Sequence, residues 1–307
     1  MASVPLPDSS DGLAPDPWRQ QPVGVVGLGL IGGSLGLDLQ RLGIGVRGLV
    51  HRATTAERAR QRGLATEVST DPAVLAPCGL VVLALPLDRL LDPDPDLLAA
   101  LPPQAVITDV GSVKEPVLER WRALHPRFVA SHPMAGNAEA GVEAGVVGLF
   151  RQRPWVATPE AGTDLEALGV VRNLAELVGA RWLTCPAGDH DQAVAMISHL
   201  PVLLGAALLR AADSGVAPPK LVRQLASSGF ADTTRVGGGN PQLGSLMARC
   251  NRDALLAALA AYRQQLGELE DLLQRGDWAG LQRQLEGCHQ LRPQFVGPSP
   301  PAETGSS

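Results

Sequence analysis

The sequence predicts an α/β fold: a Rossmann-type, doubly wound, mostly parallel sheet followed by an all-helical domain. Three observations predict it. A short apolar run, Val23-Gly24-Val25-Val26, opens directly into Gly27-x-Gly29-x-x-Gly32 and a helical pattern from Leu30 to Leu42. Strand-like and helix-like stretches then alternate as far as Thr184. Beyond Thr184 the strand signals stop and apolar residues recur at helical spacing. Repeated βα units call for a parallel sheet with helices on both faces, and a run of helices alone forms a layer of its own.

Taken in order, residues 1–21 are rich in Pro, Asp and Ser and read as a disordered leader. The first strand and glycine turn open a dinucleotide-binding domain over residues 22–188. Gly45–Val50 is the second strand, turning at His51-Arg52-Ala53-Thr54-Thr55. Gly79–Leu85 is closed by Pro86, and Ala105–Val110 ends in Asp109-Val110-Gly111-Ser112. A helix over Lys114–Leu124 leads to a strand at Phe128–Ser131. Pro154–Thr158 and Ala180–Thr184 read as further strands, with a helix over Asp164–Val178 between them. From Asp189 to Asp213 the residues Val194, Ile197, Leu200, Leu204 and Leu208 share one helical face, and Pro201 should kink or break the helix. Leu221–Ala226, Ala254–Leu273 and Trp278–Cys288 also read as helices. The helical domain is therefore placed at 189–291, and its several apolar faces suggest a homodimer. Residues 292–307, rich in Pro, Ser and Gly, read as a disordered tail.

A net charge of −5 provides no basic footprint for nucleic acid or an acidic membrane surface. No unbroken apolar run reaches the ~20 residues of a membrane span, and no secretory signal is read at the N-terminus. Cys78, Cys185, Cys250 and Cys288 form no CxxC pair, so they read as free thiols in a reducing cytoplasm and no metal site is expected.

The glycine pattern has a specific physical use. Gly27 permits a tight turn, Gly29 lets the backbone approach a pyrophosphate, and Gly32 allows the helix to pack on its strand. The free N–H groups at the helix start, at Leu30, Ile31 and Gly32, favour anionic phosphate. In the NAD pattern an acidic residue follows about 20 positions on. Here, 19 positions after Gly32, stands His51, then Arg52, and no acidic residue appears until Glu57. A guanidinium with the hydroxyls of Thr54 and Thr55 suits a 2′-phosphate, so NADP is the expected cofactor.

Reactive side chains gather in Thr108-Asp109-Val110-Gly111-Ser112-Val113-Lys114, in Ser131-His132-Pro133-Met134-Ala135-Gly136, and in Asp189-His190-Asp191-Gln192 through Ser198-His199-Leu200-Pro201. A further stretch runs from Ser228-Gly229-Phe230 to Asp232-Thr233-Thr234-Arg235. With the glycine turn, these stretches strongly resemble, in order, the prephenate/arogenate dehydrogenases of tyrosine biosynthesis, over about Val23–Leu285. The resemblance implies a C-terminal helical dimerisation domain and an oxidative decarboxylation with hydride transfer to the nicotinamide. It also implies His132 as acceptor of the substrate hydroxyl proton, with Ser112 orienting that hydroxyl. Arg235 would bind a substrate carboxylate, Ser198 and His199 would line the pocket, and Asp191 would belong to a supporting polar network.

Two departures bear on the substrate. Many prephenate-using members have a histidine where this chain has Val202, and Glu where it has Ala138. By the resemblance, both point to the arogenate-specific, NADP-preferring branch, most like the cyanobacterial enzymes; the alternative is an NAD(P)-dependent prephenate dehydrogenase. A β-hydroxyacid dehydrogenase would carry a catalytic Lys on a helix of the second domain, whereas Lys220 lies in a Pro-Pro-Lys loop. A non-catalytic NADP-binding sensor would not need His132, Ser112 and Arg235 together.

Overall fold

The computed structural model describes residues 17–136 and 139–296. Ala138, residues 1–16 of the expected leader and residues 297–307 of the expected tail lie outside the described residues. Six strands, β1 (Val23–Val26), β2 (Val46–Leu49), β3 (Glu67–Ser69), β4 (Leu80–Leu83), β5 (Val106–Asp109) and β6 (Phe128–Val129), form one sheet in the order β3-β2-β1-β4-β5-β6. Every pairing in it is parallel. All residues of β1 and β4 are buried, which is why both read as near-continuous apolar runs: a parallel sheet is covered on both faces.

The covering helices on the first half of the chain are α1 (Leu30–Arg41), α2 (Ala53–Gln61), α3 (Leu87–Leu91), α4 (Pro95–Ala100), α5 (Glu115–Trp121) and α6 (Leu165–Leu177). Strand side chains alternate between two cores. Val25, Leu80 and Val82 join Leu35, Leu39, Trp155 and Leu174 on one face. Val26, Val81 and Leu83 join Leu90, Ile107, Trp121 and Phe128 on the other. Because β1 sits between β2 and β4, the winding reverses there, and the crevice beyond the strands' carboxyl ends is where such sheets bind ligands.

Three expectations need correction. The stretch Phe128–Ser131 is not one strand: Ala130 separates β6 from β7 (Ser131–Pro133), which leaves the main sheet. With β8 (Pro154–Ala157) and β9 (Arg181–Thr184) it forms a second sheet, antiparallel at β7/β8 and parallel at β8/β9. The physical cause is local. The Ser131 N–H donates to Asp109 Oδ1 at 3.0 Å rather than to a neighbouring strand, and Pro133 has no N–H for a two-sided ladder. Residues 17–20, expected to belong to a disordered leader, instead form a 3-10 turn that buries Trp18 in the core with Val23. Residues 292–296, expected to belong to a disordered tail, instead complete the last helix, which runs to Phe295, and the Val296 N–H closes its final turn on the Arg292 carbonyl at 3.1 Å.

From Ala187 onward the described residues are helical or in turns: α7 (Ala187–Val194), α8 (Leu200–Ala212), α9 (Pro219–Leu225), α10 (Ser228–Thr234), α11 (Pro241–Cys250), α12 (Arg252–Arg275) and α13 (Trp278–Phe295). The break expected at Pro201 takes the form of a π turn over Ala195–His199, joining α7 to α8. Pro201 has no N–H to return to the preceding turn, and the wider turn absorbs that loss. The continuous helix Ala187–Ala212 is long and apolar enough, by length and composition alone, to cross a membrane, with a mean hydropathy of 1.8 over an 18-residue window. Ser198, His199 and Pro201 interrupt it, so no unbroken apolar run was visible.

The chain divides into two compact units, residues 1–255 and 256–307. The second consists of the rest of α12 and of α13, joined through Gly276 at φ +64°. Asp277 caps α13 by accepting the Gly280 N–H at 2.8 Å. Within this unit α13 buries none of its side chains, and Trp278, Leu285 and Phe295 stand exposed.

Candidate active site

At the end of β1 the three glycines separate into two kinds. A Cβ on Gly27, at φ +92°, would lie 2.3 Å from the Ala84 carbonyl oxygen, and one on Gly32 would lie 1.9 Å from the Gly27 carbonyl oxygen. The fold itself requires glycine at both. Gly29 has an ordinary φ of −77° and caps α1 without a side-chain hydrogen bond. A Cβ there would meet nothing within 4 Å. Space over Gly29, beside the bare amides of Leu30, Ile31 and Gly32, is what a pyrophosphate needs, so these residues fit a dinucleotide. Just past β2, His51, Arg52 and Thr54 are exposed and Thr55 is half-buried. Arg52 is the N-cap residue of α2, whose first turn has no acidic side chain.

Beyond β5 a buried polar network begins. Lys114 and Asp109 form an ion pair with both side chains fully buried. The Lys114 ammonium also donates to the Ser131 carbonyl at 2.7 Å, and Asp109 Oδ2 accepts the Gly111 N–H at 2.8 Å. This pair ties the end of β5 to the start of β7 and so positions His132. Burial pushes the Lys114 ammonium below its ordinary pKa, opposed by the Asp109 charge.

His132 Nδ1 lies 3.0 Å from His190 Nε2, and His190 Nδ1 lies 2.7 Å from Asp191 Oδ1. The Asp191 carboxylate also accepts the Lys114 N–H at 2.7 Å and the Glu115 N–H at 2.9 Å. Asn251 Nδ2 donates to the Asp191 carbonyl at 2.8 Å and lies 3.2 Å from His199 Nδ1. His199 Nε2 is buried without a hydrogen-bond partner among the described residues. Burial holds the His132 imidazole well below its usual pKa, reinforced by His190, Lys114 and His199. Burial likewise lowers His199 to about 4, opposed by Asp191. At neutral pH both rings are uncharged.

Of the residues expected at the site, His132, Asp191 and His199 are brought together by this network. Ser112 is half-buried two residues before Lys114, and Ser198 is half-buried beside His199 in the π turn. Arg235 stands exposed at the end of α10 and is not joined to the network. Its helix is held near α8 by a close backbone approach, in which a Cβ on Gly237 would lie 2.2 Å from the Ala206 nitrogen. Sequence reasoning missed His190, Lys114, Asp109 and Asn251 as site residues. All but Asn251 were visible as letters in the motif stretches, but their partners stand up to 77 positions away in the chain.

The comparisons with known proteins agree with this fold. Residues 35–184 match the nucleotide-binding domain of prephenate dehydrogenase, and residues 186–287 match its dimerization domain. The crystal structure of Synechocystis arogenate dehydrogenase is 41% identical, with a TM-score of 0.75, over 89% of this chain and 99% of that one. Prephenate dehydrogenase from A. aeolicus, in complex with hydroxyphenyl propionate and NAD+, is 26% identical with a TM-score of 0.84, over 90% and 98% of the two chains. Prephenate dehydrogenase of Bacillus subtilis (strain 168) is 26% identical over 275 residues, 87% of this chain and 74% of the relative. The chain belongs to the prephenate/arogenate dehydrogenase family, oxidoreductases of tyrosine biosynthesis.

Proposed function

We propose that the protein is an NADP-dependent arogenate dehydrogenase, converting L-arogenate to L-tyrosine and carbon dioxide. The observation that carries the reading is the uncharged His132 ring, beyond β5 and near the carboxyl ends of the strands that also carry the glycine cradle. An imidazole held well below its usual pKa is ready at pH 7 to accept the substrate hydroxyl proton. Ser112 orients the same hydroxyl, and Arg235 offers a fork of donors to a substrate carboxylate. His199 Nε2, buried and unpartnered among the described residues, suits a polar group of the substrate. When bound, the nicotinamide supplies the hydride acceptor. Loss of the carboxylate with aromatisation drives the reaction, so the chemistry calls for no metal.

Two features support arogenate and NADP. Val202 stands where many prephenate-using relatives have a histidine, and it packs toward Gly244 of α11. Arg52 and His51 take the place of the ribose-binding acid. The arogenate dehydrogenase from Synechocystis, at 41% identity, supports the choice of arogenate. The second reading, prephenate with NAD, draws on the likeness to the A. aeolicus enzyme and its NAD+ complex. A homodimer, built on the matched dimerization segment and the exposed apolar face of α13, completes the proposal, and the expected setting is the cytoplasm.

Initial rates of reduced-nucleotide formation, with arogenate and prephenate each crossed with NADP and NAD, test it. Activity concentrated on arogenate with NADP is the expected result. Equal or greater activity on prephenate would overturn the substrate assignment, and efficient use of NAD the cofactor assignment.

A further inference from the structure

We propose that His190 is a positioning residue for the proton transfer: it holds His132 in the tautomer protonated on Nδ1, leaving Nε2 bare for the substrate hydroxyl. The inference rests on His132 as the proton acceptor, as proposed above, and follows from counting donors along the chain Asp191, His190, His132. The Asp191 carboxylate has only acceptors, and two of its positions are taken by the Lys114 and Glu115 amides. The 2.7 Å contact from His190 Nδ1 to Asp191 Oδ1 therefore carries the His190 proton on Nδ1. Because His132 Nδ1 lies 3.0 Å from His190 Nε2, Nε2 is the His132 nitrogen left for the substrate hydroxyl, and the base role requires the ring proton on Nδ1 with His190 Nε2 as its acceptor. Without that proton, two bare nitrogens at that distance would face each other lone pair to lone pair. One proton remains on the neutral His132 ring, and Nε2 has none.

Such an arrangement matters because a histidine in the other tautomer cannot take a proton at Nε2, whatever its pKa. In the reaction the substrate O–H bond breaks and the Nε2–H bond forms. His132 becomes a cation while its Nδ1–H keeps donating to His190, a bond that strengthens with the charge. The backbone amides of Lys114 and Glu115 anchor the far end of the chain. The orientation of His132 is thereby set by the same loop that carries Ser112.

Two substitutions separate this role from simple support. His190→Asn keeps a donor near Asp191 and removes the acceptor facing His132. His190→Gln places an amide oxygen near the lost Nε2 acceptor. With the full chain and bound NADP, His190→Asn is expected to lower kcat by about 10²-fold or more, with KM and nucleotide affinity changed by less than about threefold. His190→Gln should recover at least tenfold of that loss. Isotope-labelled histidine and two-bond proton–nitrogen spectra of the wild-type holoenzyme read the tautomer directly, the His132 signal being the one absent from His132→Asn. The expected signal is that of Nδ1–H. An Nε2–H signal in the wild type would overturn the proposal, and so would an unchanged kcat in His190→Asn or a Gln variant no better than Asn. The spectrum answers even where a variant fails to fold. A wild type inactive on both arogenate and prephenate would instead overturn the function proposed above, with the tautomer still readable.

Discussion

Replacing Lys114 with Met removes a cation that the fold cannot easily do without. Its ammonium pairs with Asp109 where both side chains are fully buried, and it also bonds the Ser131 carbonyl at 2.7 Å. After substitution the Asp109 carboxylate retains only neutral donors, the Gly111 and Ser131 amides at 2.8 and 3.0 Å. Removing one partner of a buried ion pair costs about 3–5 kcal/mol, because the remaining charge stays out of water. That is a large share of a native stability of about 5–15 kcal/mol. Urea unfolding at fixed protein concentration, chosen because the stability of the proposed dimer would depend on concentration, should show a loss of this size. The double variant Asp109→Asn/Lys114→Met carries no buried charge and should recover much of it, since neutral replacements of buried pairs are often tolerated. A loss below about 1 kcal/mol for Lys114→Met alone, small against that cost, would refute the reasoning. The variant also offers a second readout: Lys114 is one of the charges holding the His132 pKa down, so any remaining activity should acquire its acid limb at higher pH.

Other consequences follow from the same geometry. In the wild type, burial lowers the His132 pKa well below 6.5, so the neutral base persists as pH falls and the acid limb of kcat/KM should lie below 6.5; a limb at or above that value would show that another group governs it. Gly29→Ala should leave thermal stability nearly unchanged, since its Cβ meets nothing within 4 Å, yet weaken NADP binding measured by titration; unchanged binding would remove Gly29 from the phosphate site. Gly32→Ala should instead impair folding, because its Cβ would lie 1.9 Å from the Gly27 carbonyl oxygen; a soluble variant of wild-type stability would contradict this. Arg52→Ala should raise the KM for NADP by about tenfold or more, the worth of one charge-assisted hydrogen bond, and leave the KM for NAD unchanged; equal effects on both would place Arg52 away from the 2′-phosphate.

Much of the architecture was legible in the chain because its signals are local. An apolar strand ending in glycines, a helix that starts without a side-chain cap, and helical spacing from Asp189 onward are all written within a dozen or so residues. The short strand β3 escaped notice, since only Val68 of its residues is buried. The helices α10 and α11 were missed where glycines and polar residues blur the period. Ser131 looked like the end of a strand beginning at Phe128, and only the Asp109 side chain, reaching across from β5, diverts the chain there into a second sheet.

The site divides in the same way. His132, Ser112, Asp191 and His199 were named through the resemblance of their motifs to a known family, and the glycine turn by its place between a strand and a helix. What His132 can do was decided only by the tertiary structure. Its neutrality comes from burial beside Lys114, His190 and His199, and its hydrogen-bond direction comes through His190 from a carboxylate 59 positions along the chain. Desolvation and hydrogen-bond direction are properties of neighbours in space. Those neighbours are set only when β5, β7 and α7 pack together.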